Sequence, residues 1–237
     1  MNSAKKNSKT NLITLNIDGA EIKAPKGEKL LWVALDNGFY IPNLCAIKDS
    51  KLPAASCRLC FVEIEGRRNP VTSCNVSVSD GMVVRLNTEK VKRIRNTAFE
   101  LLLSHHHIDC AHCDKNHNCE LQNIAAKLGL KLKLNKFRQI PQDLPIDSSH
   151  PLFYYNPNRC ILCGKCVHIC QEKGTGTLDF AFRGIKTIVS TFAGIPLSEA
   201  CPETCTDSCL ACVNICPVGA LVKKTGITSK KAKTGSK

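Results

Sequence analysis

Sixteen cysteines lie in this 237-residue sequence, and they fall in tight groups separated by ordinary sequence. Such usage indicates either a disulfide framework in a secreted chain or thiolates that bind metal in a reducing compartment. Residues 1–10 are polar and basic with no apolar segment behind them, and no run approaches the roughly 18 apolar residues of a membrane span. The sequence therefore predicts a cytoplasmic chain with reduced, metal-binding thiols and no integral membrane segment.

The strongest spacing signal is Cys160-x2-Cys163-x2-Cys166-x3-Cys170. It is typical of bacterial ferredoxins, in which three thiolates of a run hold one [4Fe-4S] cluster and the fourth binds the other cluster. A second run, Cys205-x3-Cys209-x2-Cys212-x3-Cys216-Pro217, supplies the exchange partner. We expect two [4Fe-4S] clusters, one on Cys160, Cys163, Cys166 and Cys216, the other on Cys170, Cys205, Cys209 and Cys212. A pair of zinc sites is the alternative.

The second run departs from the usual spacing, because three residues rather than two separate Cys205 from Cys209. Cys201 lies four positions before Cys205 and could replace it as a ligand. The unused one of the two would then be a spare thiol, of the kind that proteins often bury.

A third group, Cys45-x11-Cys57-x2-Cys60-x13-Cys74, provides four thiolates near the N-terminus. Four is the number that a [2Fe-2S] cluster requires, although the gap of eleven differs from the plant-type spacing. A zinc site on the same four ligands is the alternative interpretation.

The fourth group, Cys110-x2-Cys113-x5-Cys119, has only three cysteines, so we expect a histidine to complete it. Neutral imidazole is a good metal ligand, and His106 precedes Cys110 by three intervening residues. His105, His107, His112 and His117 are rival ligands. A Cys3His zinc site fits these ligands nearly as well as a [4Fe-4S] cluster.

Local sequence signals predict the elements that position these groups. LITLNI and AEIKAP flank Asp18-Gly19, which favours a hairpin, and residues 28–37 have helical spacing closed by Gly38. Three further strands are predicted in CFVEIEG, NPVTSC and MVVRL, giving an α+β roll. Residues 89–103, with Val91, Ile94, Ala98 and Leu101 at helical spacing, and residues 120–128 predict two more helices, and the prolines between 141 and 151 indicate a linker.

The formal charge of +13 raises the possibility of a nucleic-acid-binding protein. Nine of the 33 basic residues lie in residues 1–10 and 221–237, which contain no acid, so the remaining 24 face all 20 acidic residues. Solvated basic tails explain the excess, and we expect no nucleic-acid partner.

Four motifs resemble those of a known family and occur in the same order as in that family. They are HIDCAHCDKNHNCELQ, NRCILCGKCVHIC, TGTLDFAFRG and ICPVGAL. They are similar to the iron-sulfur subunit of the diaphorase module of NAD-reducing hydrogenases. They are equally similar to the N-terminal regions of the complex I large iron-sulfur subunit and of iron-only hydrogenases. The resemblance covers residues 11 to about 223.

The resemblance implies a β-grasp [2Fe-2S] domain over residues 11–87, a small helical His/Cys3 [4Fe-4S] domain over 88–148, and a two-cluster ferredoxin-like domain over 149–223. Residues 1–10 and 224–237 are then flexible basic tails. The family's H-x3-C pattern matches His106 and Cys110, while His107 stands where the family often has proline. The full second set of cysteines favours the hydrogenase branch over complex I.

The resemblance also implies function. We expect an electron-transfer subunit with one [2Fe-2S] and three [4Fe-4S] clusters, working between a flavin- and NAD(P)-binding subunit and a hydrogenase or other catalytic subunit. The sequence contains no nucleotide-binding glycine motif, so the chain itself has no expected substrate-converting site. The alternatives are a free polyferredoxin, a relay subunit of a formate dehydrogenase or complex I-like enzyme, and a zinc-based nucleic-acid-binding module.

Overall fold

The computed structural model describes residues 11–48, 50, 53–140, 142–173, 175–201 and 210–224. Within these ranges the chain divides into two compact units, one containing residues 11–104 and 124–139 and the other containing residues 105–123 and 140–224. Cys205, Cys209 and nearly all of the two predicted tails lie outside the described residues.

The first unit begins with a hairpin. Strands β1 (Leu12–Ile17) and β2 (Ala20–Pro25) pair antiparallel, with Ile17 opposite Ala20. The turn between them consists of Asp18 and Gly19, both with positive φ, at 48° and 92°. That geometry matches the right-handed twist of the strands, so the predicted hairpin is confirmed.

The hairpin extends into a five-stranded sheet of order β2-β1-β5-β3-β4. Strand β5 (Val83–Arg85) pairs parallel to β1, whereas β3 (Phe61–Ile64) pairs antiparallel to β5 and to β4 (Val71–Thr72). The sheet and the first helix share one apolar core, to which the sheet contributes Leu15, Ile17, Val62 and Val84 and the helix contributes Leu30, Leu31 and Ala34.

Helix α1 (Leu30–Asp36) starts two residues later than the sequence predicts. Glu28 and Lys29 are drawn into strand-like pairing instead, since the amide of Val78 donates to the Glu28 carbonyl and Lys29 bridges to Ser77. The predicted C-terminus is confirmed, because Gly38 follows with φ of 82° and its amide donates to the Leu35 carbonyl.

Helix α2 (Glu89–His105) runs two residues beyond its predicted end. Val91 and Ala98 are buried as expected from their spacing, but Leu101 is 50% exposed, and Phe99 and Leu103 are buried instead. The buried face also includes Arg95, whose Nη2 donates to the Phe61 carbonyl at 2.6 Å. A charged side chain thus fixes this helix to β3.

Helix α3 (Glu120–Leu128) has the predicted bounds and is closed by Gly129 with φ of 63°. The described elements that lie wholly within the second unit are short. Strands β6 (Phe153–Tyr155) and β9 (Leu221–Lys223) form one antiparallel pair, and β7 (Asp179–Ala181) and β8 (Ile188–Ser190) form another. Helices α4 (Lys165–Glu172), α5 (Leu197–Ala200) and α6 (Ala211–Ile215) follow or flank the cysteine groups.

The fold is therefore a mixed arrangement of helices and strands, as the sequence predicts. Among the described helices, none has the length and apolarity needed to cross a membrane.

Candidate metal centres

Four buried thiols lie together in the first unit. Cys45, Cys57, Cys60 and Cys74 are each exposed by 4% or less, and none is in a disulfide. The Sγ atoms of Cys45 and Cys57 are 3.4 Å apart. Cys60 immediately precedes β3 and Cys74 sits in the turn after β4, so strand pairing brings together residues that are separated by 13 intervening positions.

The four thiols interact electrostatically. The hydrogen bond from Cys57 lowers the pKa of Cys45 to about 5, and the hydrogen bond from Cys74 lowers the pKa of Cys60 to about 7. The pKa values of Cys57 and Cys74 are raised by the same two bonds and by burial. Each pair therefore favours one thiolate, which is the form that binds metal.

The loop carrying Cys57 has an unusual backbone. Ala55 and Arg58 have positive φ, at 48° and 54°, a conformation that L-residues adopt rarely. Main-chain groups of Ser56 and Cys57 donate to the Cys45 thiolate, and those of Leu44 and Leu59 donate to Cys57. The left-handed residues thus allow amide groups to point at sulfur, which stabilises negative charge there.

His106 directly follows α2 and is buried in the second unit, with 8% exposure. Its Nδ1 lies 2.9 Å from the carbonyl oxygen of Arg159, so the ring donates there and carries its lone pair on Nε2. Burial lowers the pKa of His106 to about 4, so the ring is neutral at pH 7. A neutral, oriented imidazole is the form in which histidine binds a metal.

The rival histidines have different surroundings. His107 and His117 are exposed, and the 83% exposed His112 side chain pairs with Asp109 at 2.9 Å. His105 is half-buried, and Gln142 lies against its Nδ1 at 3.1 Å. Burial and ring orientation therefore distinguish His106 within this group.

The loop with Cys110, Cys113 and Cys119 is held by one side-chain and one main-chain hydrogen bond within the second unit. Tyr154 donates its hydroxyl hydrogen to Asp114 at 2.6 Å, and the amide of Glu120 donates to the Pro217 carbonyl at 2.9 Å. These contacts fix the middle and the C-terminal end of the loop. Cys119 is buried, which raises its thiol pKa, whereas the other two thiols are half-buried.

Gly219 lies directly against this loop. A Cβ atom at Gly219 would be 2.5 Å from the Sγ of Cys113 and 3.5 Å from the Cδ of Arg159. Its φ is outside the left-handed range of the chain's other described glycines, so close approach rather than backbone conformation requires glycine here.

Cys160, Cys163 and Cys166 surround the start of α4, and Cys216 follows α6. Burial raises the pKa of Cys160 to about 11 and that of Cys163 to about 12. Leu162 has φ of 53°, and its amide donates to the Cys160 sulfur at 3.4 Å. A left-handed residue is used here as in the first unit. The effect of burial on the thiol pKa is larger here than that of the amide, so the neutral thiol is favoured unless a cation is bound.

Two buried polar atoms of the second unit lack hydrogen-bond partners, namely the Tyr155 hydroxyl, on which the charge of Cys160 acts, and the Nε of Arg159, whose side chain contacts the loop that carries Cys113. The charge of Cys160 acts on Tyr155, and burial together with that charge raises the pKa of the phenol. Buried polar atoms are usually satisfied, so orphans beside sulfur ligands fit a site completed by an inorganic group. Thiolate and imidazole donors are those that iron-sulfur clusters take, which also fits.

Cys170 and Cys212 line one apolar cavity in the second unit together with Cys201. The rest of the lining is mainly apolar and includes Phe153 and Leu178. Within the described ranges, no group of three or more His, Cys, Asp or Glu side chains is gathered closely enough to hold a single metal ion. The cavity brings Cys201 next to two residues that the spacing assigns to the second [4Fe-4S] cluster.

Sequence reasoning missed Arg159, Tyr155 and Gly219. Gly219 belongs to the ICPVGAL motif, but nothing in the motif says that its missing side chain makes room for Cys113. Arg159 carries no local signal, because its contacts are with residues about 50 positions away.

Three family matches cover most of the chain. Residues 10–89 match the 2Fe-2S iron-sulfur cluster binding domain family, residues 95–132 match the NADH-ubiquinone oxidoreductase-G iron-sulfur binding region, and residues 153–173 match the 4Fe-4S binding domain family. The chain therefore contains both [2Fe-2S]-type and [4Fe-4S]-type binding domains.

A solved structure is similar over nearly the whole length of both chains. It is a chain of the crystal structure of NAD+-reducing [NiFe]-hydrogenase in the H2-reduced state, with 32% identity, a TM-score of 0.80, and coverage of 92% of this chain and 90% of that one. The chain belongs to the family of iron-sulfur subunits of NAD(P)-linked hydrogenases. This family is related to iron-sulfur subunits of NADH-quinone oxidoreductases, and its members are iron-sulfur electron-transfer subunits of oxidoreductases.

Curated relatives include the NADPH-Fe(3+) oxidoreductase subunit alpha of Geobacter sulfurreducens, 38% identical over 90% of this chain. The NADP-reducing hydrogenase subunit HndD of Solidesulfovibrio fructosivorans is 35% identical over 90% of this chain. The chain spans 24% of the length of the first and 36% of the second. These longer relatives therefore share only one part with it.

We predict that Gly219→Ala removes one [4Fe-4S] cluster. The added methyl group overlaps the Cys113 sulfur, so this thiol must leave its position. The iron content of the anaerobically purified protein should fall by about four irons per chain, with the [2Fe-2S] absorption retained. Gly176→Ala is the control, since a Cβ there meets no atom within 4 Å although its φ is positive. Unchanged iron content in Gly219→Ala would contradict the assignment of Cys113 as a ligand.

Proposed function

We propose that this chain relays single electrons between a flavin-bearing NAD(P)(H)-linked subunit and a catalytic subunit such as a hydrogenase. The similarity to a chain of NAD+-reducing [NiFe]-hydrogenase, extending over about nine-tenths of both chains, is the observation that carries this proposal. The relative HndD, named as a subunit of an NADP-reducing hydrogenase, supports the same kind of complex. We place that complex in the cytoplasm, where thiolate ligands stay reduced.

We propose one [2Fe-2S] and three [4Fe-4S] clusters, each in its own ligand set. Four thiolates hold the first, and His106 with three thiolates holds the second. For the two remaining clusters, each cysteine run supplies three ligands to one cluster and one ligand to the other. The proposed ligands, in chain order, are Cys45, Cys57, Cys60 and Cys74; His106, Cys110, Cys113 and Cys119; Cys160, Cys163, Cys166 and Cys216; and Cys170, Cys209 and Cys212 with one of Cys201 or Cys205.

These sets follow three proposed domains, over residues 11–87, 88–148 and 149–223. Support comes from the family matches, which fall at residues 10–89, 95–132 and 153–173. Bound clusters would supply one-electron oxidation and reduction, with potentials set by ligand type, hydrogen bonds and burial.

The residues of the chain contribute by holding charge and excluding water. Amide groups of Ser56 and Leu59 stabilise thiolates in the first unit, and the Leu162 amide does so in the second. The carbonyl of Arg159 fixes the tautomer of His106. We assign no residue of this chain to substrate conversion, so the bond-breaking chemistry belongs to its partners.

A formate dehydrogenase or complex I-like enzyme is the second candidate for the complex. A putative formate dehydrogenase of Bacillus subtilis is 34% identical over 79% of this chain, and an NADH-quinone oxidoreductase subunit of Rhizobium meliloti is 36% identical over 89%. The relay role of this chain is the same in each case, and the catalytic partner differs.

Anaerobic purification of the native complex tests the proposal. We expect this chain to co-purify with a flavin-containing subunit and with hydrogenase activity, and to contain about fourteen irons per chain. Formate dehydrogenase activity in the complex would select the second candidate. A chain that purifies alone as an iron protein would instead be a free polyferredoxin. Stoichiometric zinc, with fewer than about ten irons, would overturn the cluster assignment.

We predict that His106→Ala changes the electron paramagnetic resonance (EPR) signal of one [4Fe-4S] cluster and spares the [2Fe-2S] signal. The reason is that His106 is buried and oriented, whereas His107 is exposed. His107→Ala is the matched control and should retain every signal of the wild-type chain. The reverse pattern would make His107 the ligand.

We predict that Cys201→Ser disturbs the second [4Fe-4S] cluster more than Cys205→Ser does. Cys201 lines the cavity shared by Cys170 and Cys212, which favours it for the open ligand position. The measurement is iron content together with the EPR spectrum of the reduced protein. If Cys205→Ser alone loses iron, the ligand is Cys205 and Cys201 is a spare thiol.

A further inference from the structure

Arg159 connects two of the proposed cluster sites. It directly precedes Cys160, a proposed ligand of one cluster, and its carbonyl oxygen accepts the Nδ1 hydrogen of His106, a proposed ligand of another, at 2.9 Å. The arginine is buried, with 8% exposure. Its main chain and its side chain therefore both lie inside the second unit.

The guanidinium group lies beside the His106 site. Its Nη2 donates to the carbonyl of His112 at 3.0 Å, within the loop that carries Cys110 and Cys113. The Cδ of Arg159 and the Sγ of Cys113 both approach Gly219, at 3.5 and 2.5 Å from the position of an added Cβ. The positive charge is thus held next to a proposed sulfur ligand.

The charge of this guanidinium has no carboxylate partner in contact. Among the described residues no salt bridge involves Arg159, and its Nε is buried without a hydrogen-bond acceptor. Asp109 is half-buried and pairs with His112, so it acts on Arg159 only as a charge that is not in contact, and Asp114 accepts the hydroxyl hydrogen of Tyr154. A buried cation without a carboxylate in contact is unfavourable, so additional negative charge close to it is stabilised.

We propose that Arg159 is a positioning residue that orients His106 through its main-chain carbonyl and raises the reduction potential of the His106 site through its guanidinium group. A thiolate-ligated cluster carries net negative charge that increases by one on reduction. A buried positive charge stabilises the more negative state, and the low local dielectric strengthens this effect. Arg159 thereby makes this site easier to reduce.

The inference rests on the proposed cluster at His106, Cys110, Cys113 and Cys119. Reduction adds one electron to that site and removes one from its donor, without making or breaking a bond at Arg159. In the test, dithionite is the donor and supplies the electron.

The experiment is a potentiometric titration of the anaerobically purified complex, followed by EPR. Arg159→Gln removes the charge and also loses the bond from Nη2 to the His112 carbonyl, because the glutamine amide ends at the position of the arginine Nε, whereas Arg159→Lys retains the charge. Arg183→Gln, at an exposed arginine of the same unit, controls for the loss of one positive charge. The main-chain carbonyl is present in every variant, so the orientation of His106 is preserved.

We expect Arg159→Gln to lower the midpoint potential of the signal that His106→Ala alters, with full iron content. Arg159→Lys should remain closer to the wild-type potential, and Arg183→Gln should equal it. The [2Fe-2S] potential should be the same in all variants. An unchanged potential in Arg159→Gln, an equal fall in Arg159→Lys, or loss of that site's iron in Arg159→Gln would each overturn the inference. Absence of any [4Fe-4S] signal from the wild-type protein would overturn the proposed function instead.

Discussion

The burial of thiolate charge is the constraint on which the rest of this structure depends. A sulfur that is to bind iron must lose its proton, yet burial alone favours the neutral thiol, as the raised pKa values of Cys160 and Cys163 show. Main-chain amide groups provide part of the compensation in both units. Regular helices and strands use their amides internally, so loops with left-handed residues such as Arg58 and Leu162 carry several of the proposed ligands.

The same constraint explains why the two units differ in construction. The first unit has an apolar core between its sheet and α1, and two of its four thiols, Cys60 and Cys74, belong to that core. The described part of the second unit has two-stranded sheets and mostly short helices, and three of its cysteines line one cavity. Small folds with little apolar core depend on bound metal for stability, because metal affinity becomes folding free energy. The proposed clusters would then stabilise the second unit in place of a larger apolar core.

Local signals predicted those elements that local interactions determine. The β1-β2 hairpin followed from Asp18-Gly19, and the bounds of α3 followed from helical spacing and a closing glycine. Helix α1 started late because Glu28 and Lys29 pair with residues about 50 positions away, which no local pattern encodes. Strands β6 and β9 also escaped prediction, since three residues carry too little periodicity to identify a strand.

The candidate sites divide in the same way. Cysteine spacing predicts the groups, because the geometry of a cluster restricts how closely its ligands can follow one another. Arg159 and Tyr155 lie outside any spacing rule and became visible only as buried groups with unsatisfied atoms.

Adjacent residues of one short segment face different sites. Arg159 contacts His106 and the loop that carries Cys113. Cys160 instead interacts electrostatically with Tyr155 and with Cys216. A site with three thiolates, a neutral imidazole and a buried arginine carries less negative charge than a site with four thiolates. Less negative charge favours the reduced state, so the His106 site should be the easier of the two to reduce. Differences in reduction potential set the direction of electron flow. Because Arg159 lies beside the His106 site and not beside the Cys160 site, it can determine the direction of electron transfer between these two sites.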